Sequence, residues 1–155
     1  MPSVTARLRR HALALAAVWA AACNNSTTEA GPDVDIQSVR LTITPPAGAN
    51  AQPTVVTVTS NSQNDAPVVL RVGTSTIRAE PLDDRGQVVS EAPEFALQMQ
   101  GLSSAGISFA PTNNLTSTLS APTAVASAVN VSAIMFHRTE NHADYQANFR
   151  VTVNP

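Results

Sequence analysis

From Val34 onward the chain is written in short runs in which apolar and polar residues alternate, broken by Pro, Gly and Asn. Val39, Leu41 and Ile43 alternate with Arg40, Thr42 and Thr44, the period of two that marks a half-buried strand, and Pro45-Pro46-Ala47-Gly48 ends the run. Thr54 to Thr59 and Val68 to Val72 predict two further strands with a polar turn, Ser60 to Asp65, between them. Thr76 to Glu80 predicts another, closed by Asp83-Asp84-Arg85-Gly86, whose glycine suits a turn position of positive φ. Phe95, Leu97 and Met99 alternate with Ala96, Gln98 and Gln100, and Ile107 and Phe109 continue the theme up to Pro111. Val129, Val131 and Ala133 run into the apolar group Ile134-Met135-Phe136. In the last run Tyr145, Ala147, Phe149, Val151 and Val153 face one way, and Gln146, Asn148, Arg150 and Thr152 the other. The best helical candidate, Ala121 to Ala128, is weakened by Pro122 and its β-branched residues. The expectation is an all-β sandwich of about 7–9 strands over residues 34–155. No segment recurs at a fixed period, so this is one unit and not an array.

The first residues follow a different pattern. Arg7, Arg9, Arg10 and His11 make a basic start, Ala12 to Ala22 is apolar and uncharged, and Cys23 follows. A run of this length fits the apolar core of a secretory signal and falls short of the roughly 20 residues that a membrane span needs. Residues 1–22 are therefore expected to be a signal peptide, and 23–33 a tether. Asn24 to Asp33 is polar and small, and as a flexible coil such a segment reaches roughly 15–20 Å.

Ala20-Ala21-Ala22-Cys23 resembles the lipobox of bacterial lipoproteins, in which the cysteine thiol receives a diacylglyceryl group before cleavage. The resemblance implies lipidation of Cys23, export, and a membrane partner reached through that lipid. That family usually carries Leu three residues before the cysteine, where Ala20 stands here. An ordinary signal peptidase cut at the same Ala-x-Ala site is the alternative, leaving a free thiol. Cys23 is the only cysteine, so no internal disulfide can form, and an exposed free thiol is a liability in an oxidising compartment. Asn24 is not the Asp that retains some lipoproteins in an inner membrane, so the expectation is the outer membrane.

Composition narrows the partners. The chain has no lysine, and beyond residue 22 it carries six arginines against eleven acidic residues, a net charge of 6 − 11 = −5. Such a surface offers no basic groove, which argues against nucleic acid. After Ala22 the aromatic residues are four Phe and one Tyr, so the core must be built mainly from Val, Ile, Leu, Ala and Met.

Val69-Leu70-Arg71-Val72-Gly73-Thr74, followed by Ile77, Ala79 and Asp83-Asp84-Arg85-Gly86, resembles the bacterial Ig-like domains of group 2 type. Asp83 fits the D-x-x-G spacing of that family, and Val39 to Pro45 and the final run to Val153 extend the likeness over about residues 36–153. A strand and loop around Thr54 to Ala66 are extra, and no Trp follows the D-x-x-G hairpin. The resemblance implies an Ig-like sandwich with adhesive, spacer or presenting roles, and transfers architecture better than activity.

Candidate chemistry is sparse. His137, Glu140, His142 and Asp144 stand close together, and imidazoles and carboxylates on a short loop can converge on Zn²⁺ or Cu²⁺. The metal candidates are His137, Glu140 and His142, and the plainer alternative is a solvated turn from Arg138 to Ala143. Asp83 and Asp84 read as a turn before they read as a Ca²⁺ site, and Met99 and Met135 as core before copper ligands. No G-x-S-x-G elbow occurs, and the carboxylate pairs Glu91/Glu94 and Asp83/Asp84 are not expected to face a pocket. The expected function is a non-enzymatic, lipid-anchored envelope protein without a cofactor, whose domain binds or presents an unidentified protein or glycan. The alternative is a small periplasmic metal- or ligand-binding protein using the His137/Glu140/His142 loop.

Overall fold

The computed structural model describes residues 35–155. Cys23, the signal segment 1–22 and the tether 23–33 lie outside the described residues. The described chain forms nine strands: β1 Ser38–Thr44, β2 Thr54–Val58, β3 Val68–Arg71, β4 Gly73–Leu82, β5 Phe95–Gln100, β6 Ser108–Pro111, β7 Thr116–Ala121, β8 Val125–His137 and β9 His142–Asn154. They build two sheets, one in the order β2-β1-β4-β7-β6 and the other β3-β9-β8-β5. All pairings are antiparallel except β3 with β9.

The alternation read from the sequence is the alternation of burial. Val39, Leu41 and Ile43 of β1 meet Ile77 and Ala79 of β4 and Leu119 of β7 in one buried layer. The second sheet contributes Phe95 and Leu97, Val131, Ala133 and Met135, and Ala147, Phe149, Val151 and Val153. Both inner faces are continuous rows, which is how a sandwich removes apolar surface from water. Met135 is fully buried and Met99 packs against the same cluster, as core residues. On the outer face Arg40 and Glu80 are directly paired across β1 and β4, with a 3.1 Å ion pair.

The structure adds detail at four segments. Ala121 to Ala128 is no helix: Ala121 ends β7 and Val125 starts β8, because Pro122 offers no N–H to a helix and the flanking residues extend into sheet. The segment Thr116–Ala121 is a strand that the apolar pattern conceals, since its inward residues are Ser117, Leu119 and Ala121. The turn Ser60 to Asp65 contains a short 3₁₀ helix, Ser62–Asn64, in which the Ser62 hydroxyl accepts from the Thr59 N–H at 2.8 Å. The last hairpin turn is tighter than Arg138 to Ala143, because His142 already belongs to β9. Asp83 behaves as expected of a turn residue. Its Oδ1 accepts from the backbone N–H of Arg85 at 2.9 Å and of Gln87 at 2.8 Å.

Candidate functional site

The polar cluster forms where β5, β8 and β9 end together. The register places Phe95 opposite His137 and His137 opposite His142, so the three residues make one row across three strands. Between β8 and β9 the chain reverses through Arg138 to Asn141, and Asn141 takes φ 59°. Asparagine tolerates that left-handed conformation better than most residues. The Asn141 N–H donates to the His137 carbonyl at 2.9 Å, closing the turn. Two residues on, the pairing slips: Phe136 faces Ala143, but Met135 faces Tyr145. Asp144 is the extra residue of this β-bulge, and the bulge lets it share a face with His142 and His137.

His137 continues the buried row Val131, Ala133, Met135 to the rim of the core, and is itself buried. Its ring stacks on Phe95 with centroids 4.9 Å apart. Nε2 lies 3.3 Å from Glu94 Oε2, and the Thr139 hydroxyl donates to the same oxygen at 3.2 Å. Nδ1 faces the other way, 3.2 Å from Glu140 Oε2 and 3.9 Å from Asp144 Oδ2. Glu140 is not in line with a proton on that nitrogen, so Nδ1 is left without a formed hydrogen bond. His142 Nε2 lies 3.5 Å from Glu140 Oε2 and closer still to Asp144 Oδ1. Burial disfavours the His137 imidazolium, but the hydrogen bond to Glu94 and the nearby charges of Glu140 and Asp144 outweigh it. The His137 pKa is therefore raised above 6.5.

The structure thus brings His137, Glu140 and His142 together, with Asp144 as fourth member. Glu94, expected to face no site, is a direct partner of His137. It lies 43 residues away in sequence, just before β5 in the short 3₁₀ helix Ala92–Glu94, and reaches the cluster through the β5–β8 pairing. The backbone reinforces the approach, since the Arg138 N–H donates to the Glu94 carbonyl at 3.0 Å. No periodicity in the sequence signals this contact; only the register of Phe95 on His137 does. Among the described residues, no group of three or more His, Cys, Asp or Glu side chains stands ready-made around a metal position. The donors instead close on one another through hydrogen-bond distances.

Elsewhere Asp35, Asp83, Asp84, Val89 and Ser90 line an open depression of about 340 Å³. Asp83 is committed there to the backbone of its own turn. No family model matches the chain, and comparison with curated proteins and with solved structures returned no match.

Proposed function

We propose that the protein is an exported, non-enzymatic module of the cell envelope, an Ig-like sandwich tethered through lipid on Cys23 that binds or presents a protein or glycan partner. The observation that carries the architecture is the strand order. With the extra strand β2 set aside, β1, β4, β7 and β6 stand in the order A-B-E-D of an Ig sheet. The opposite sheet, β9-β8-β5, stands in the order G-F-C, with β3 added in parallel beside β9. The extra strand coincides with the part of the sequence, Thr54 to Ala66, that is foreign to the group 2 pattern. Support for the anchor comes from the ordered sequence of basic start, short apolar run, small residues and single cysteine. A polar tether of ten residues from Asn24 to Asp33 would hold the sandwich roughly 15–20 Å from the bilayer, at the outer membrane on this reading.

Mass spectrometry of the N-terminus of the full chain expressed in a bacterial host tests this reading. A mature chain beginning at diacylglycerated Cys23 is expected, and Cys23→Ser is expected to move the protein from the membrane to the soluble fraction. A mature chain that keeps an unmodified thiol, or that fractionates identically with and without Cys23, refutes the anchor.

A further inference from the structure

At the end of the β8–β9 hairpin two imidazoles and two carboxylates, a donor set suited to Zn²⁺, converge on one another. Four side chains form a ring: His137 Nδ1 to Glu140 Oε2 at 3.2 Å, Glu140 Oε2 to His142 Nε2 at 3.5 Å, His142 Nε2 to Asp144 Oδ1 at 2.5 Å, and Asp144 Oδ2 back to His137 Nδ1 at 3.9 Å. Zn²⁺ holds nitrogen and carboxylate oxygen at about 2.0–2.1 Å, so tetrahedral ligands lie about 3.3–3.4 Å apart. The two Glu140 edges lie within about 0.2 Å of that value, while the Asp144 edges, 2.5 Å and 3.9 Å, must open and close as the ion enters.

A second observation is independent of the spacing. The His137 side chain is only 7% exposed, and its Nδ1 faces the ring without a formed hydrogen bond. A buried polar atom left in that state costs free energy, and such an atom calls for a missing partner. The opposite nitrogen is already engaged: with Nε2–H donating to Glu94, the Nδ1 lone pair points at the ring. Phe95 stacked on the ring and Thr139 bonded to Glu94 fix that orientation. A carboxylate behind a ligating histidine is the arrangement that sets its tautomer and raises its basicity in metal sites.

We propose that His137 Nδ1, Glu140, His142 Nε2 and Asp144 bind one Zn²⁺ ion per chain, with Glu94 as the positioning carboxylate behind His137. Binding replaces the hydrogen-bonding proton of His142 with the metal, and the two carboxylates neutralise the ion. His142 and Glu140 are the adjustable members, with side chains 54% and 39% exposed, so movement of His142 at the rim opens its contact with Asp144. His137 and Asp144 are the fixed members, with side chains 7% and 16% exposed. The site stands on residues of the domain alone and holds whether or not Cys23 is lipidated.

The test is calorimetry of the full chain, stripped of metal and carrying Cys23→Ser to remove a competing thiolate, titrated with ZnCl₂. One ion per chain at micromolar or tighter affinity is expected, with a rise in Tm and, with Co²⁺, the visible absorption of a tetrahedral site. His142→Asn and Asp144→Asn, both near the rim, are expected to abolish saturable binding while circular dichroism remains that of the parent. Glu94→Gln keeps the shape of the side chain and is expected to weaken binding about 10–100-fold at unchanged stoichiometry. Absence of saturable heat in a folded parent chain overturns the proposal. So does binding that survives both His142→Asn and Asp144→Asn. Affinity unchanged by Glu94→Gln overturns the role of Glu94.

Discussion

Gly101 offers the most direct test of how tightly the sandwich is closed. It precedes the 3₁₀ helix Leu102–Ala105, and Gly106 follows it, and both have positive φ, 84° and 66°. Alanine at either position meets the same backbone strain, about 1–2 kcal/mol for an L residue in the left-handed region. The surroundings differ. A Cβ on Gly106 meets nothing within 4 Å, whereas a Cβ on Gly101 falls 2.5 Å from the Asn130 carbonyl oxygen and 3.3 Å from Val131 Cα. Those atoms are the backbone of β8, held in register against Arg150 and Phe149 of β9, so they cannot swing aside as a side-chain tip would. Overpacking of this kind adds about 1–3 kcal/mol. Gly101→Ala should therefore cost about 2–5 kcal/mol and Gly106→Ala about 1–2 kcal/mol. The entropy that both alanines remove from the unfolded chain cancels in the comparison. Urea unfolding followed by far-ultraviolet circular dichroism reads the difference as a midpoint shift at constant m. Equal midpoints for the two variants would refute the close approach of Gly101 to β8.

Further outcomes follow from the same contacts. Phe95→Ala empties a fully buried position and removes the platform under His137, and should cost about 3–5 kcal/mol by urea titration; a loss under 1 kcal/mol would contradict its place in the core. Tyr145→Phe deletes the 2.8 Å bond from the phenol to the Gln37 carbonyl, with an expected loss of about 1 kcal/mol in the same assay; an unchanged midpoint would count against that bond. Ser117 is fully buried with no partner for its hydroxyl, so Ser117→Ala should be neutral or stabilising by about 1 kcal/mol, and destabilisation beyond that points to an undetected bond. His137 has a raised folded pKa, so in chelator its contribution is complete below about pH 6.5 and is lost as pH rises through the folded value. Urea midpoints should then fall on that side for the parent and flatten in His137→Gln; parallel pH profiles for the two chains would remove His137 as the cause.

Strands built from large apolar residues in strict alternation, such as Val39-Leu41-Ile43 and Ala147-Phe149-Val151-Val153, are legible because burial of their inner face is what forms them. Thr116–Ala121 obeys the same rule with Ser117 and Ala121 on the inside, and small inward residues carry no hydropathy signal. The site divides along the same line. His137, Glu140, His142 and Asp144 are neighbours in sequence, and a hairpin makes neighbours meet. Glu94 is joined to them by strand register, a long-range property that a single sequence does not encode locally. The bulge at Asp144 is equally hidden, since only the pairing with Met135 and Phe136 shows which residue is extra.

The position of β9 has a consequence for the order of assembly. β9, the last strand of the sandwich in chain order, lies inside its sheet, with β3 along one edge and β8 along the other. Until Tyr145 to Val153 are present, β3 has no partner in that sheet, β8 has a bare edge, and the inner face of the first sheet has only half a lid. Pairings between strands so far apart in sequence must first close long loops, which slows folding. A sandwich still lacking this thirteen-residue strand exposes the open edge of β8 to other chains.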